Sequence, residues 1–174
     1  TVSVIDIPTF TESKKIDVQV NLHHIKKDSD GDLYVSSRGD YYQIASNLYV
    51  VDSKTHQVKK TFDLPVSNFT IVGDKLYYYS NEFSYETFEY KLSFGVIDTK
   101  TEQVIKQDFI NATSLANIQT PYGIAVNPNN GDIYLTDAGN YVSSGYVYCF
   151  DKDGNEKWKT EAGNIPAHIA FDLK

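Results

Sequence analysis

At 174 residues, 41% hydrophobic and 14% aromatic, the chain is long enough for one domain with its own core, and its 14 tyrosines suit pleated, half-buried surfaces better than long helices. A net charge of −7 with scattered lysines argues against a nucleic-acid partner, which would call for a basic patch or stripe. No apolar run reaches the ~18 residues of a membrane span, no stretch reads as a signal peptide, and the single cysteine, Cys149, leaves no internal disulfide or cysteine-rich metal site.

The absence of methionine, including at position 1, is what a processed or truncated product would show. The chain opens on VSVIDIPTFTESKKIDVQV, and the pattern returns as NLYVVDSKTHQVKKTFDLPV, FGVIDTKTEQVIKQDFI and YVYCFDKDGNEKWKTEA. Each is an alternating strand that ends in Asp, a polar turn and a second amphipathic strand. The closing residues Asp6, Asp52, Asp98 and Asp151 stand 46, 46 and 53 positions apart, which is the length of a four-stranded propeller blade. The other half of the unit repeats as well. Leu22-His-His-Ile before DSDGDLYVSS matches Pro121-Tyr-Gly-Ile before NPNNGDIYLTD, with a shorter turn in the middle copy, SNFTIVGDKLYYYS.

The fullest copy runs from Pro121 to Glu161 and predicts strands at Tyr122–Val126, Asp132–Thr136, Gly145–Phe150 and Lys157–Thr160. Pro fixes φ in its first turn while Asn and Gly tolerate positive φ. Such a meander cannot bury both of its faces alone and must stack on copies of itself. The expected order is therefore two outer strands of a split blade (1–20), blades at 21–64, 65–110 and 120–163, and one inner strand (165–174), with 111–119 inserted between blades. The fold class is all-β: a β-propeller of four-stranded antiparallel blades, three of them complete and two partial.

PYGIAVNPNNGDIYLTD, together with the VSVID, LYVVD and FGVID strands, resembles the YVTN-repeat, YncE-like β-propellers of bacterial exported and surface-layer-type proteins. The resemblance spans nearly the whole chain and is weakest around Ser67 to Tyr90. It implies a ring of roughly seven blades, of which this chain is the C-terminal half, and an exported location, periplasmic or at the cell surface. Two copies closing one ring is the runner-up. Either way the expected partner is the missing propeller half or a second copy, because uncovered blade faces are apolar liabilities.

In a blade, the connection into the first strand and the loop between the second and third strands lie on one face, where ligands bind around the central channel. The first set supplies His23, His24, Asn68, Tyr122 and His168; the second supplies Arg38, Asp40, Tyr41, Asn81, Glu82, Asp137, Asn140 and Tyr141. Aromatic faces beside amides and carboxylates suit a glycan or protein ligand, although any propeller places polar residues at these loops. His24 and His168 occupy the position of Gly123 and could face the channel. Only two such imidazoles can be placed there, however, so no metal is expected. His23 and His24, adjacent in a strand, should point to opposite faces. Asp28-Ser-Asp-Gly-Asp32 and Asp151-Lys-Asp-Gly-Asn155 look like the start of a calcium loop but lack its later Glu, and hairpin turns explain them. Asn68-Phe-Thr and Asn111-Ala-Thr are glycosylation sequons.

No Gly-x-Ser-x-Gly, phosphate loop or His-Glu-x-x-His is present. The aromatic hairpin NEFSYETFEY is a candidate partner contact. The expectation is a non-catalytic binding or interaction scaffold without a cofactor. The alternative is a channel enzyme, a metal-dependent lactonase or a quinone-cofactor dehydrogenase, which needs at least three convergent ligand-type side chains.

Overall fold

The computed structural model describes residues 1–84 and 87–172. Over these the chain is nearly all β and divides into two compact units, the first covering Thr1–Val66 and the second beginning at Ser67. In the first, β1 (Val2–Asp6) and β2 (Thr11–Ile16) form a hairpin. It is followed by an antiparallel meander of β3 (Leu22–Lys27), β4 (Leu33–Ser37), β5 (Asn47–Asp52) and β6 (Gln57–Thr61). The second holds two such meanders. One is β7 (Asn68–Val72), β8 (Lys75–Ser84), β9 (Glu89–Asp98) and β10 (Gln103–Gln107); the other is β11 (Pro121–Val126), β12 (Ile133–Asp137), β13 (Ser144–Phe150) and β14 (Glu156–Asn164). The expected insertion between them contains a single helical turn, α1 (Ala112–Leu115).

Strand order in all three meanders follows chain order, the connectivity of a propeller blade. Burial follows the same plan. Most of the side chains of the central strands β4 and β5 are buried, so both sheet faces are covered, whereas β6 and β10 are largely exposed. In the first unit Ile16, Val35 and Val51 form a core on which Val2, Val4 and Leu22 pack. In the second, Tyr79, Phe94, Val126, Leu135, Tyr148 and Phe150 lie between the two sheets, joined by Phe109, Ile110 and Ile118 from the connecting segment. Each such side chain contributes about 1.5–3 kcal/mol by leaving water.

The repeated aspartates have a common role at the outer turns. Asp52 Oδ1 accepts the N–H groups of Lys54 and Thr55 at 2.8 Å each, and Asp98 Oδ1 accepts that of Thr101 at 2.8 Å. Asp6 Oδ2 accepts the Thr9 N–H and hydroxyl, and Asp151 Oδ1 accepts the Asp153 and Asn155 N–H groups. In three of these turns the residue four places after the Asp, namely Phe10, His56 or Glu102, takes a positive φ of 51–59°. In the fourth turn a glycine, Gly154, takes this conformation one place earlier, at φ 91°.

The outer strands repeat a second device. Ladder pairing skips Ser13 in β2, Lys59 in β6, Ile105 in β10 and Lys157 in β14, placing a bulge at the same point of each. Two of the bulged residues reach back to the inner turn of their own sheet. Lys59 pairs with Asp32, and Lys157 Nζ lies 2.6 Å from Asp132 Oδ2.

Residues 165–172 form no strand, in contrast to the inner strand expected there. Such a strand needs the second strand of its own blade as a ladder partner, and none is paired with it. The segment instead lies against the last sheet. A Cβ on Gly123 would collide with the Ala167 carbonyl, one on Gly145 would reach Pro166 Cγ at 2.9 Å, and the Phe171 ring meets the edge of Tyr134 at 5.3 Å.

The outer turns generate two predictions. Hydrogen bonds hold all four aspartate pKa values below the ordinary range; the leading cause is the Thr9 hydroxyl for Asp6, the Thr55 N–H for Asp52, the Thr101 N–H for Asp98 and the Asn155 side-chain amide for Asp151. A carboxylate with a depressed folded-state pKa stabilises the fold above its unfolded value, about 3.9, and loses that contribution as pH falls through the folded value. The urea midpoint is therefore expected to drop below about pH 4. Asp52→Asn, which keeps an acceptor oxygen but does not titrate, should reduce the slope, whereas Asp52→Ala should lower the midpoint at pH 7. Separately, Glu102→Gly removes a left-handed β-carbon and should raise stability by about 0.5–1 kcal/mol in chemical unfolding; a loss of stability would contradict the strain argument.

Candidate functional site

The loops between the second and third strands of the first and last meanders share one construction. In Gly39-Asp40-Tyr41 and Gly139-Asn140-Tyr141, both the glycines (φ 66° and 54°) and the tyrosines (φ 67° and 64°) are left-handed. Asp40 Oδ1 accepts the N–H groups of Tyr42, Gln43 and Ile44 at 2.9, 2.8 and 2.8 Å, and Asn140 Oδ1 accepts those of Val142 and Ser143 at 2.9 and 2.8 Å. The Ile44 N–H, with its neighbours, lowers the Asp40 pKa below the ordinary range. Each loop is thus wound around one side-chain oxygen, and the ring beside it is turned to solvent: Tyr41 and Tyr141 are exposed, as are Tyr42 and Val142.

The base of each loop is anchored to the segment entering its own sheet. Asp137, buried, accepts the Thr120 and Gly139 N–H groups on Oδ1 at 2.7 and 2.9 Å and the Gln119 N–H on Oδ2 at 3.0 Å. At the matching position the Ser37 hydroxyl donates to the Val20 carbonyl at 2.6 Å and accepts the Gly39 N–H at 3.0 Å. Asp40, Asp137 and Asn140 are therefore parts of the scaffold that presents the face.

The first strands of the same two sheets carry matching bulges. Ladder partners jump from Leu22–Ser37 to Ile25–Val35, and from Pro121–Asp137 to Gly123–Thr136. Hydroxyls bridge the gaps: Ser36 Oγ accepts the His24 N–H at 3.2 Å, and Thr136 Oγ1 accepts the Gly123 N–H at 2.7 Å. The bulges leave His23 and Tyr122 exposed. The expectation that His23 and His24 point to opposite faces is overturned, because the bulge breaks the two-residue alternation and brings their rings to a centroid distance of 3.9 Å. Arg38 Nη2 lies 2.7 Å from His23 Nε2. A guanidinium only donates, so this contact requires the neutral imidazole with its proton on Nδ1.

In the second unit the bulge and the loop converge. The rings of Tyr122 and Tyr141 meet edge to face, with centroids 6.1 Å apart and planes at 80°. Asn68, at the start of β7, donates through Nδ2 to the Tyr122 carbonyl at 3.1 Å, so this sequon asparagine is already engaged. Asn164 donates to the Val142 carbonyl at 2.8 Å. His168 is exposed and follows Ala167, whose carbonyl covers Gly123. Asn81 and Glu82 lie within β8, not in a loop, because β8 and β9 remain paired from Lys75–Asp98 out to Ser84–Glu89. Phe83 and Tyr90 face each other across this extension at 5.2 Å. Tyr85 and Glu86 fall outside the described residues.

Among the described residues no three His, Cys, Asp or Glu side chains group as a metal site. The two calcium-like loops spend their leading carboxylates on the backbone: Asp28 Oδ1 accepts the N–H groups of Asp30, Gly31 and Asp32, as Asp151 does for its own turn. Cys149 is fully buried, and burial pushes its thiol pKa up. The bulge hydroxyls of Ser36 and Thr136 and the Asn164 tether were not singled out from the sequence; the repeat alignment of Ser36 with Thr136 was the available signal for the first two.

No protein-family model matches the chain, and no curated protein matches it. Among solved structures it is similar to Kuenenia stuttgartiensis hydrazine synthase, with a TM-score of 0.68 at 17% identity over 91% of this chain. The match takes in 42% of that chain, so this chain spans less than half of its length. At that identity the likeness is one of fold.

Scaffold and presented residues should separate on substitution. Asp137→Ala strands three N–H groups at a buried site and is expected to cost about 2–4 kcal/mol, with Asp137→Asn intermediate. Tyr141→Ala, at an exposed ring, should stay within about 0.5 kcal/mol. Equal losses in urea unfolding would overturn this division.

Proposed function

We propose that this chain is a non-catalytic binding scaffold: the blades of a β-propeller in an exported or cell-surface protein, related to the YVTN-repeat, YncE-like propellers. One observation carries the reading. At the candidate binding loops, Asp40 Oδ1, Asn140 Oδ1 and both Asp137 oxygens are engaged by backbone N–H groups, and the exposed groups of the loops include the rings of Tyr41, Tyr42 and Tyr141. Such loops are built to present a binding surface. For the channel-enzyme alternative, no group of three His, Cys, Asp or Glu side chains that could hold a metal is found among the described residues. The partner completing the ring is a further set of blades or a second copy of this chain, and the ligand is a glycan or a protein of the cell envelope.

Two experiments test this reading. Fractionation of the source cells should place the protein outside the cytoplasm, and the immobilised chain should retain envelope polysaccharide or envelope protein in a form that competes with itself. Incubation with lactones, aryl esters and alcohols, with and without calcium, zinc or a quinone cofactor, should give no turnover. A cytoplasmic protein that retains nothing, or any turnover abolished by a loop-face substitution, would overturn the proposal.

A further inference from the structure

We infer that the corner formed by Tyr122 and Tyr141 is a subsite for one neutral sugar ring, an inference that rests on the binding-scaffold reading above. Four observations lead to the ligand class. First, the two rings stand nearly perpendicular, at 80°, and each keeps solvent-exposed ring surface beside their mutual contact, so together they form an aromatic corner. A pyranose presents an apolar C–H face to an aromatic ring and hydroxyls around its rim. Second, the corner is preorganised. A strand bulge sets Tyr122, an Asn140-centred turn sets Tyr141, and buried Asp137 ties that loop to Thr120 just before Tyr122. Little ordering entropy then remains to be lost on binding.

Third, polar capacity is present without charge. The hydroxyls of Tyr122 and Tyr141 bond to no protein group among the described residues. Asn68 and Asn140 each commit one amide hydrogen, to the Tyr122 carbonyl and the Ser143 hydroxyl, and an amide carries two. The four side chains are two phenols and two amides, and the Asp137 carboxylate at the base of the loop is buried and engaged by three N–H groups. An uncharged ring matches these four side chains, and the chain's net charge of −7 disfavours uronic acids, phosphates and acidic peptides. Fourth, Asn164 donates to the Val142 carbonyl and so tethers the loop next to Tyr141, with Val142 itself exposed.

The test uses the chain with three neutral hexasaccharides, cellohexaose, laminarihexaose and chitohexaose, alongside a hexa-galacturonate and a proline-rich decapeptide, read by titration calorimetry and saturation-transfer NMR. Saturable binding of at least one neutral hexasaccharide is expected, with saturation transferred to tyrosine ring protons and no binding of the galacturonate. Tyr122→Ala and Tyr141→Ala should each weaken it at least about tenfold, the size of loss expected when a buried ring contact is removed. Tyr141→Phe, which keeps the stacking face, should retain most of the affinity, and unchanged thermal unfolding would show that the variants fold. Failure of all three neutral sugars, or binding indifferent to both alanine variants, would overturn the inference. So would tyrosine-dependent binding of the proline-rich peptide alone, which would make the corner a peptide groove. If the corner fails while the immobilised chain still retains envelope material, the scaffold reading stands and only the sugar subsite falls.

Discussion

A single recurrent hydrogen-bonding device underlies most of what is regular in this chain: a short side-chain oxygen, from Asp or Asn, that collects two or three backbone N–H groups of the turn immediately following it. Asp52 does so at an outer turn, Asp28 at an inner one, and Asp40 and Asn140 each at the loop between the second and third strands of its own sheet. Turns reverse the chain and leave N–H groups that no neighbouring strand can reach, and an unpaired amide is costly wherever water is scarce. A carboxylate or amide one turn upstream solves that problem locally, without long-range partners. The solution can therefore be copied with each repeat, and the sheets between the turns are free to diverge in sequence.

The same device limits chemistry. An oxygen that already accepts three N–H groups is a poor base and a poor metal ligand, because binding a proton or cation would strand those donors. The loops are thus rich in acids and amides in the sequence, and in the structure Asp40 Oδ1, Asn140 Oδ1 and the Asp137 carboxylate are engaged by backbone N–H groups. Their reactive potential has been exchanged for rigidity, and the exposed tyrosines inherit that rigidity. Binding to a fixed ring needs no rearrangement.

Much of the architecture was legible because it is written in periodic signals. The Asp-closed strands, the Asn-Pro-Asn-Asn-Gly turn and the blade-length spacing predicted four strands between Pro121 and Glu161, and four are there within a few residues at each boundary. The placement of side chains was less legible where local irregularity intervenes. Alternation predicts opposite faces for His23 and His24, but a bulge has no strong residue code, and the Ser36 hydroxyl that bridges it is an unremarkable residue in a strand. The pairing of β8 with β9 past Ser80 was hidden for a related reason: Asn81 and Glu82 have weak strand preference, and cross-strand contacts such as Phe83 with Tyr90 oppose it. The acids at the face were recognised as residues but not as structural groups, since spacing alone does not tell which N–H groups a carboxylate will meet.

The outer-strand bulges have a consequence for solubility. A flat edge strand is a template for another molecule, and a bulge spoils that template by kinking the ladder, while a lysine on it sets an ion pair rather than an apolar side chain at the edge. Lys59 and Lys157 provide this protection for β6 and β14. In β10 the bulged position is Ile105, half exposed, next to Val104 on the same edge. The edge of β10 thus carries apolar side chains at the point where β6 and β14 carry a lysine, and edge-to-edge pairing with another copy meets less charge there.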